Sequence, residues 1–163
     1  MNNIRYFFLI TLLTNCYLIV SAQGSDQLNQ VELNRQILGK WEAKFDDGRV
    51  AVMEYKAFGN GEIGSIKIHK GDSLIYESRQ LSGFNKELNK SIDVTVGNDN
   101  SDATIDAYWF ISPKEMIGVK YDDLNVQGNY PNRREFTFGE GIVTGRIYKN
   151  DELKLTIIYH KIE

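Results

Sequence analysis

Residues 35–58 read RQILGKWEAKFDDGRVAVMEYKAF, and this stretch decides the fold class. From position 40 onward apolar and charged residues alternate, which is the period-two pattern of a strand with one dry face. The apolar face carries Trp41, Ala43 and Phe45, and the charged face carries Lys40, Glu42 and Lys44. Asp46-Asp47-Gly48 then supplies the positive backbone angles of a tight turn. The stretch therefore predicts a hairpin whose second strand runs over 50–58.

The same order of short strand and turn repeats to the end of the chain. Further strands are predicted over 63–69, 74–81, 92–96, 104–111, 116–121, 134–138, 142–148 and 153–162. An antiparallel meander of about 8–10 strands has two edges to hide, and closing the sheet on itself hides both. We therefore predict an all-β, up-and-down barrel, with a β-sandwich as the alternative. The charged outward face of the first strand argues against a barrel embedded in lipid.

A short helix is predicted before the first strand. Leu28, Val31, Ile37 and Leu38 are separated by polar residues at helical spacing, and Ser25 or Asp26 can cap the helix. The chain then divides into three parts. These are a signal peptide over 1–22, a helical lead-in over 23–37 and a barrel domain over 38–163.

Residues 1–22 have the features of an export signal. Arg5 precedes a long apolar run, and the small residues Ser21 and Ala22 stand just before Gln23. Cleavage before Gln23 predicts a secreted or periplasmic protein without a membrane span. Two alternatives stay open, which are retention of the apolar run as an anchor and acylation of Cys16 as in a bacterial lipoprotein.

The composition offers little for catalysis, metal binding or nucleic-acid binding. After cleavage the chain has no cysteine, and its histidines are His69 and His160. The absence of cysteine excludes Cys–His catalysis, and two histidines are too few for a three-histidine zinc site. No carboxylate pair has a spacing typical of glycosidases. The loop over 97–102 is rich in oxygen ligands but lacks a complete calcium-loop pattern. A formal net charge of −3 for the whole chain gives no reason to expect nucleic acid. No enzyme activity, metal or cofactor is predicted.

The segment Gly39-Lys40-Trp41, placed after a helical lead-in and at the start of a meander, resembles the lipocalin-like (calycin) barrels of the exported bacterial type. The resemblance implies that Gly39 lets the chain bend over the closed end of the barrel and that Trp41 plugs that end. It also implies a basic residue from the last strand across the indole ring. The family uses an arginine there, whereas this chain offers Lys161, with Arg146 one strand earlier. Lysine also binds an indole face, but it lacks the planar fork of arginine.

The aromatic side chains within the predicted strands suggest a binding cavity. Phenol and indole groups at the mouth of a small barrel suit a ligand that is mostly apolar with one polar end. The candidate lining residues are Met53, Tyr55, Trp109, Phe136, Phe138, Tyr148 and Tyr159, and the candidate inward cations are Arg134 and Arg146. The predicted function is an exported binding protein for a small lipophilic ligand. The alternative is an extracytoplasmic interaction or inhibitor module whose barrel is filled by side chains.

Overall fold

The structure, a computed structural model, describes residues 28–99, 102–125 and 130–163. These residues form ten antiparallel strands, each paired with its neighbours in the chain. The strands are β1 (Gly39–Lys44), β2 (Arg49–Phe58), β3 (Gly61–Lys70), β4 (Ser73–Asn85), β5 (Lys90–Gly97), β6 (Thr104–Ser112), β7 (Glu115–Lys120), β8 (Arg133–Gly139), β9 (Ile142–Lys149) and β10 (Glu152–Lys161). Since β10 also pairs with β1, the sheet closes into an up-and-down barrel, and the predicted fold class is confirmed.

Within the described residues, the helical lead-in consists of two short elements. The helix α1 spans Gln30–Asn34 and continues as a 3₁₀ turn over Arg35–Ile37. Its cap is Asn29, whose side chain accepts a hydrogen bond from the backbone N–H of Glu32 at 3.1 Å. The predicted caps Ser25 and Asp26 lie outside the described residues, as do the predicted signal peptide over 1–22 and its cleavage site.

Buried Gln30 fixes the helix to the barrel. Its side-chain amide donates to the carbonyl of Phe110 at 3.0 Å and accepts from the backbone N–H of the same residue at 2.6 Å. The amide thus pairs with the edge of β6 as another strand would, and both of its polar atoms are satisfied. Among the described residues, no helix has the length and the apolar composition needed to cross a membrane.

Strands β1 and β10 close the barrel through a short pairing. Trp41 stands opposite Lys161, and Glu42 stands opposite His160. The backbone of Lys40 extends the pairing, because its N–H donates to the carbonyl of Glu163 at 3.0 Å and its carbonyl accepts from Ile162 at 2.8 Å. No edge is left between the first strand and the last.

Trp41 fills the helix end of the barrel. Its side chain is 3 % exposed, and its indole N–H donates to the carbonyl of Ile37 at 2.7 Å. The amine of Lys161 lies 5.2 Å from the centroid of the indole ring. The structure therefore places a cation from the last strand across this tryptophan, with lysine in the place of arginine.

Gly39 has a backbone conformation and a position that a larger residue does not fit. Its φ is +111°, and a β-carbon there would lie 2.6 Å from the carbonyl oxygen of Glu163 and 3.0 Å from Cε of Lys161. The chain can therefore bend from the 3₁₀ turn into β1 beside the closing strand because this residue has no side chain.

At one level of the barrel, apolar side chains of β3 to β6 point outward. Consecutive cross-strand partners form an exposed apolar row of four residues, which are Ile63, Leu81, Val94 and Ile105. The residues directly before and after each of these four in sequence point into the barrel, and most of them are polar. This part of the wall is therefore inverted relative to β1 and β2, whose apolar side chains face inward.

Replacing Trp41 by alanine removes the ring that fills the closed end. We expect a loss of about 3–5 kcal/mol of unfolding free energy, as for other large aromatic residues in cores. Urea unfolding followed by far-UV circular dichroism measures the loss. Trp109→Ala is the matched control, because that indole lies on the outer face; equal losses for the two variants would contradict the assigned role of Trp41.

Candidate ligand-binding site

The barrel encloses a cavity of about 340 Å³ with two unlike walls. One wall is apolar and comes from β2, β3, β9 and β10; it includes Met53, Ile66, Ile147 and Ile157. The facing wall is polar and comes from β4, β5 and β6; it includes Ser78, Gln80, Thr95, Thr104 and Asp106. This volume is at the lower end of the range for small-molecule sites. The barrel is therefore not filled by its own side chains.

A second, smaller chamber of about 70 Å³ lies toward α1. Its lining includes the acids Glu62 and Asp93 together with the hydroxyls of Ser82 and Ser91 and the amide of Asn34. Four residues line both spaces and thus stand between them, namely Met53, Tyr55, Tyr108 and Phe136. The interior is consequently an upper cavity above a smaller lower chamber, whose lining combines acidic and hydroxyl groups with apolar side chains.

An acidic row crosses the polar wall at the level where the two spaces meet. Asp93 on β5 stands directly opposite Ser82 on β4 and directly opposite Asp106 on β6. Glu62 on β3 continues the row, since its neighbour Ile63 pairs with Leu81. All four residues of the acidic row, Glu62, Ser82, Asp93 and Asp106, are buried. Like charges on directly opposed residues repel each other, so this arrangement costs stability.

Arg134 on β8 neutralises one member of the row. Its guanidinium lies 2.9 Å from Oδ2 of Asp106 and donates to the hydroxyl of Tyr108 at 2.5 Å. Because arginine remains protonated in proteins, this contact places a fixed positive charge beside Asp106 at the cavity wall. The predicted inward cation is thus present, but it is already bound to a carboxylate.

A chain of hydrogen bonds links the two spaces. The hydroxyl of Tyr55 donates to Oε1 of Gln80 at 3.0 Å, and the amide nitrogen of Gln80 donates to Oδ2 of Asp93. Within the described part of the chain, Oδ1 of Asp93 and Oδ1 of Asp106 have no hydrogen-bond partner although both are buried. Native proteins seldom leave buried polar atoms unpaired, so these two oxygens mark a place where a donor is missing.

The acidic row has perturbed protonation. Burial, with smaller contributions from Glu62 and Asp106, raises the pKa of the Asp93 carboxyl to about 7, while the neighbouring Ser82 hydroxyl and Gln80 amide oppose the rise. Burial also raises the pKa of Glu62. The Asp93 carboxyl therefore gains or loses its proton near neutral pH, whereas an exposed aspartate does so near 4.

The structure brings six of the predicted site residues to the cavity lining: Met53, Tyr55, Arg134, Phe136, Arg146 and Tyr159. Arg146 contributes differently from Arg134. Its guanidinium donates to the hydroxyl of Thr137 at 3.3 Å, and Thr137 alternates with the inward-facing Phe136 and Phe138. The charged end of Arg146 thus lies on the outer face. Contact between any of the six residues and a ligand stays a prediction.

The other three predicted lining residues lie elsewhere. Trp109 is on the outer face, where the amine of Lys90 is 4.0 Å from its ring and Tyr130 packs edge-on at 5.6 Å. Tyr148 is also on the outer face, beneath the guanidinium of Arg133 at 4.2 Å. Phe138 points inward but belongs to the closed end, 5.3 Å from the ring of Phe110. A cation lies against each of the two outer rings, which the one-dimensional pattern does not reveal.

Sequence reasoning missed the acidic row. The signal was present in Ser91-Ile92-Asp93-Val94-Thr95, where apolar and polar residues alternate. Alternation shows that a strand has two unlike faces, but it does not show which face is inside. In the described part of the chain, no group of three or more histidine, cysteine, aspartate or glutamate side chains is placed to hold a metal ion. The oxygen-rich loop over 97–102 lies partly outside the described residues.

Comparison with known proteins adds no relative. No protein-family model matches the sequence, and no curated protein matches it either. The class of protein is therefore defined by the fold and the cavity, as a ten-stranded up-and-down barrel compatible with a lipocalin-like fold.

Replacing Asp93 by asparagine should change how stability depends on pH. Folding raises the pKa of the Asp93 carboxyl from its ordinary value of 3.8 to about 7, so the folded state favours the protonated form. The protein therefore loses stability as the pH rises through this window. Asparagine does not ionise, and relative to the parent the variant should gain up to about 4 kcal/mol across this window. Urea titrations at pH 4 to 8 measure the difference. Asp72→Asn, at an exposed turn, measures the effect of removing a carboxylate that is not buried. Parallel curves of stability against pH for the parent and Asp93→Asn would contradict the raised pKa of Asp93.

Proposed function

We propose that this protein is a lipocalin-like binding protein that holds a small amphiphilic molecule inside the barrel. The cavity of about 340 Å³ is the observation that carries the proposal, because a barrel used only through its outer surface has no need of an interior space. The lead-in helix, the Gly39 bend and the covered Trp41 agree with the resemblance to calycin barrels.

The two walls describe the kind of ligand. Met53, Ile66 and Ile157 offer apolar contact on one side, while Gln80 and Asp106 face them with hydrogen-bonding groups. A wholly hydrocarbon ligand would leave the polar wall desolvated, which costs free energy. The ligand is thus less lipophilic than the aromatic residues alone suggest, with one apolar side or end and one polar side or end.

We propose further that the protein works outside the cytoplasm, after removal of residues 1–22. The secreted form should begin at Gln23 and carry no lipid, because Val20-Ser21-Ala22 is typical of a cleavage site. Intact-mass spectrometry of the protein from its exporting cells measures both features. A diacyl or triacyl mass on Cys16 would instead establish a lipoprotein at a membrane surface.

A second candidate function is an interaction module. One specific observation favours it, namely the exposed apolar row formed by Ile63, Leu81, Val94 and Ile105 on the outer face. A contiguous apolar patch of this kind is a recurring feature of protein contact surfaces. This function requires no ligand in the barrel, so ligand binding separates the two candidates.

The cavity should bind a neutral, environment-sensitive probe such as N-phenylnaphthylamine. We expect saturable binding at one site per chain, with a dissociation constant on the order of micromolar. Ile157→Trp fills part of the cavity from β10 and should weaken binding at least about tenfold. The fluorescence of the probe, titrated with protein, measures the affinity.

The matched control is Ile158→Trp. Ile158 follows Ile157 in β10 but is 50 % exposed on the outer face, so the same added ring should leave the affinity unchanged. Thermal unfolding of both variants shows whether they remain folded. Equal affinities for the parent and both variants would place the probe outside the barrel, and no binding at all would leave the interaction module as the better function.

A further inference from the structure

We propose that the ligand carries an ammonium group and that Asp93 and Asp106 hold it at the boundary between the cavity and the lower chamber. This inference rests on the proposed function and deepens it, because it names the chemical class of the ligand as a small amphiphilic amine. The apolar part of the amine would lie in the upper cavity against Met53, Ile66 and Ile157.

The two unpartnered oxygens define the position of the ammonium group. Asp93 and Asp106 are direct cross-strand partners, both point inward, and each is more than nine-tenths buried. Directly opposed residues have β-carbons about 5 Å apart, so a single small group can reach both carboxylates. Oδ1 of each acid is without a donor among the described residues, and an ammonium group carries three donors and no acceptor.

The charges around the interior favour a cation. The acids that line the two spaces are Glu62, Asp93, Asp102 and Asp106. Among the described lining residues the basic ones are Arg134 and Arg146, and the guanidinium of Arg146 is bound to Thr137 on the outer face. Arg134 is bound to Asp106, so the Asp93 carboxylate is left without a cation. A ligand with a carboxylate would add a negative charge to this set.

The nearby surface lysines do not change this count. A groove between β7 and β8, lined by Lys120 and Lys149 among others, also reaches Asp106 and Arg134. Lys120 stands opposite Asp106 in register but is exposed. In the described part of the chain, the ion pair that Asp106 makes is the one with Arg134. Lys120 and Lys149 are both exposed, and Asp93 lies one strand further from Lys120 than Asp106 does.

The test compares octylamine, 1-octanol and octanoate, which have similar apolar chains and differ in the charge of the polar end. Displacement of the bound naphthylamine probe at pH 8, above the pKa of about 7 of Asp93, gives each affinity. We expect octylamine to bind at least about tenfold more tightly than the alcohol, and octanoate to bind least tightly. An amine no tighter than the alcohol would overturn the inference.

Asp93→Asn is the decisive variant, because it removes one negative charge and keeps the shape of the side chain. It should abolish the advantage of the amine, so that octylamine and the alcohol bind this variant with similar affinities. Asp102→Asn removes another acid of the cavity lining and tests selection at that position. The matched control is Asp72→Asn, which removes a negative charge at the exposed turn between β3 and β4 and should leave the preference unchanged. Loss of the preference in the Asp102 variant, with retention in the Asp93 variant, would move the selection to the mouth and overturn the inference.

Arg134→Gln provides an independent variant with the opposite sign. Removing the guanidinium frees the second carboxylate, so the preference for octylamine over the alcohol should increase. An unchanged or reduced preference in the folded variant would count against the inference. Failure of the alcohol and of the neutral probe to bind the parent would overturn the proposed function itself. Binding of the alcohol without preference for the amine would overturn the choice of ligand class alone.

Discussion

Closure of the sheet between β1 and β10 is the constraint on which the rest of the structure depends. The direct pairing of these strands is short, and the residues after β10 lengthen it through the backbone of Lys40. Trp41 stabilises the closure, because its ring fills the space between the converging strands. Lys161, from the last strand, lies over this ring. Without this closure both the first and last strands would expose unpaired backbone groups, and the interior would open to water.

The sequence predicts the strands and their order well because both depend on local rules. Alternation of side chains marks each strand, and the turns between them contain residues that accept positive backbone angles, such as Gly48 and Gly71. The resemblance at Gly39-Lys40-Trp41 adds the role of Lys161. The cap of α1 is Asn29, whereas the predicted caps Ser25 and Asp26 lie outside the described residues.

The site was predicted less completely, because a barrel interior depends on which face of each strand points inward. For β1 and β2 the apolar face is inside, as expected. In β5 the order is reversed, so that Asp93 is buried while Val94 is exposed. Tyr108, Trp109 and Phe110 form an aromatic run in β6, and only the positions of neighbouring strands decide that the middle ring points outward. Pattern alone favours the larger indole as a lining residue of the cavity, whereas in the structure Tyr108 lines it.

The inverted wall has a cost on each of its faces. On the outside, it exposes Leu81 and Val94 to water. On the inside, it buries Asp93 beside Asp106, and Arg134 neutralises only the charge of Asp106. Apolar residues at the inner positions would fill the barrel and stabilise it, since buried charges are often less favourable than well-packed hydrophobic side chains of similar volume. A stable barrel therefore has no need of the acidic row. The row fits the proposed binding site, because a ligand that supplies hydrogen-bond donors and a positive charge would stabilise the two buried carboxylates in the complex.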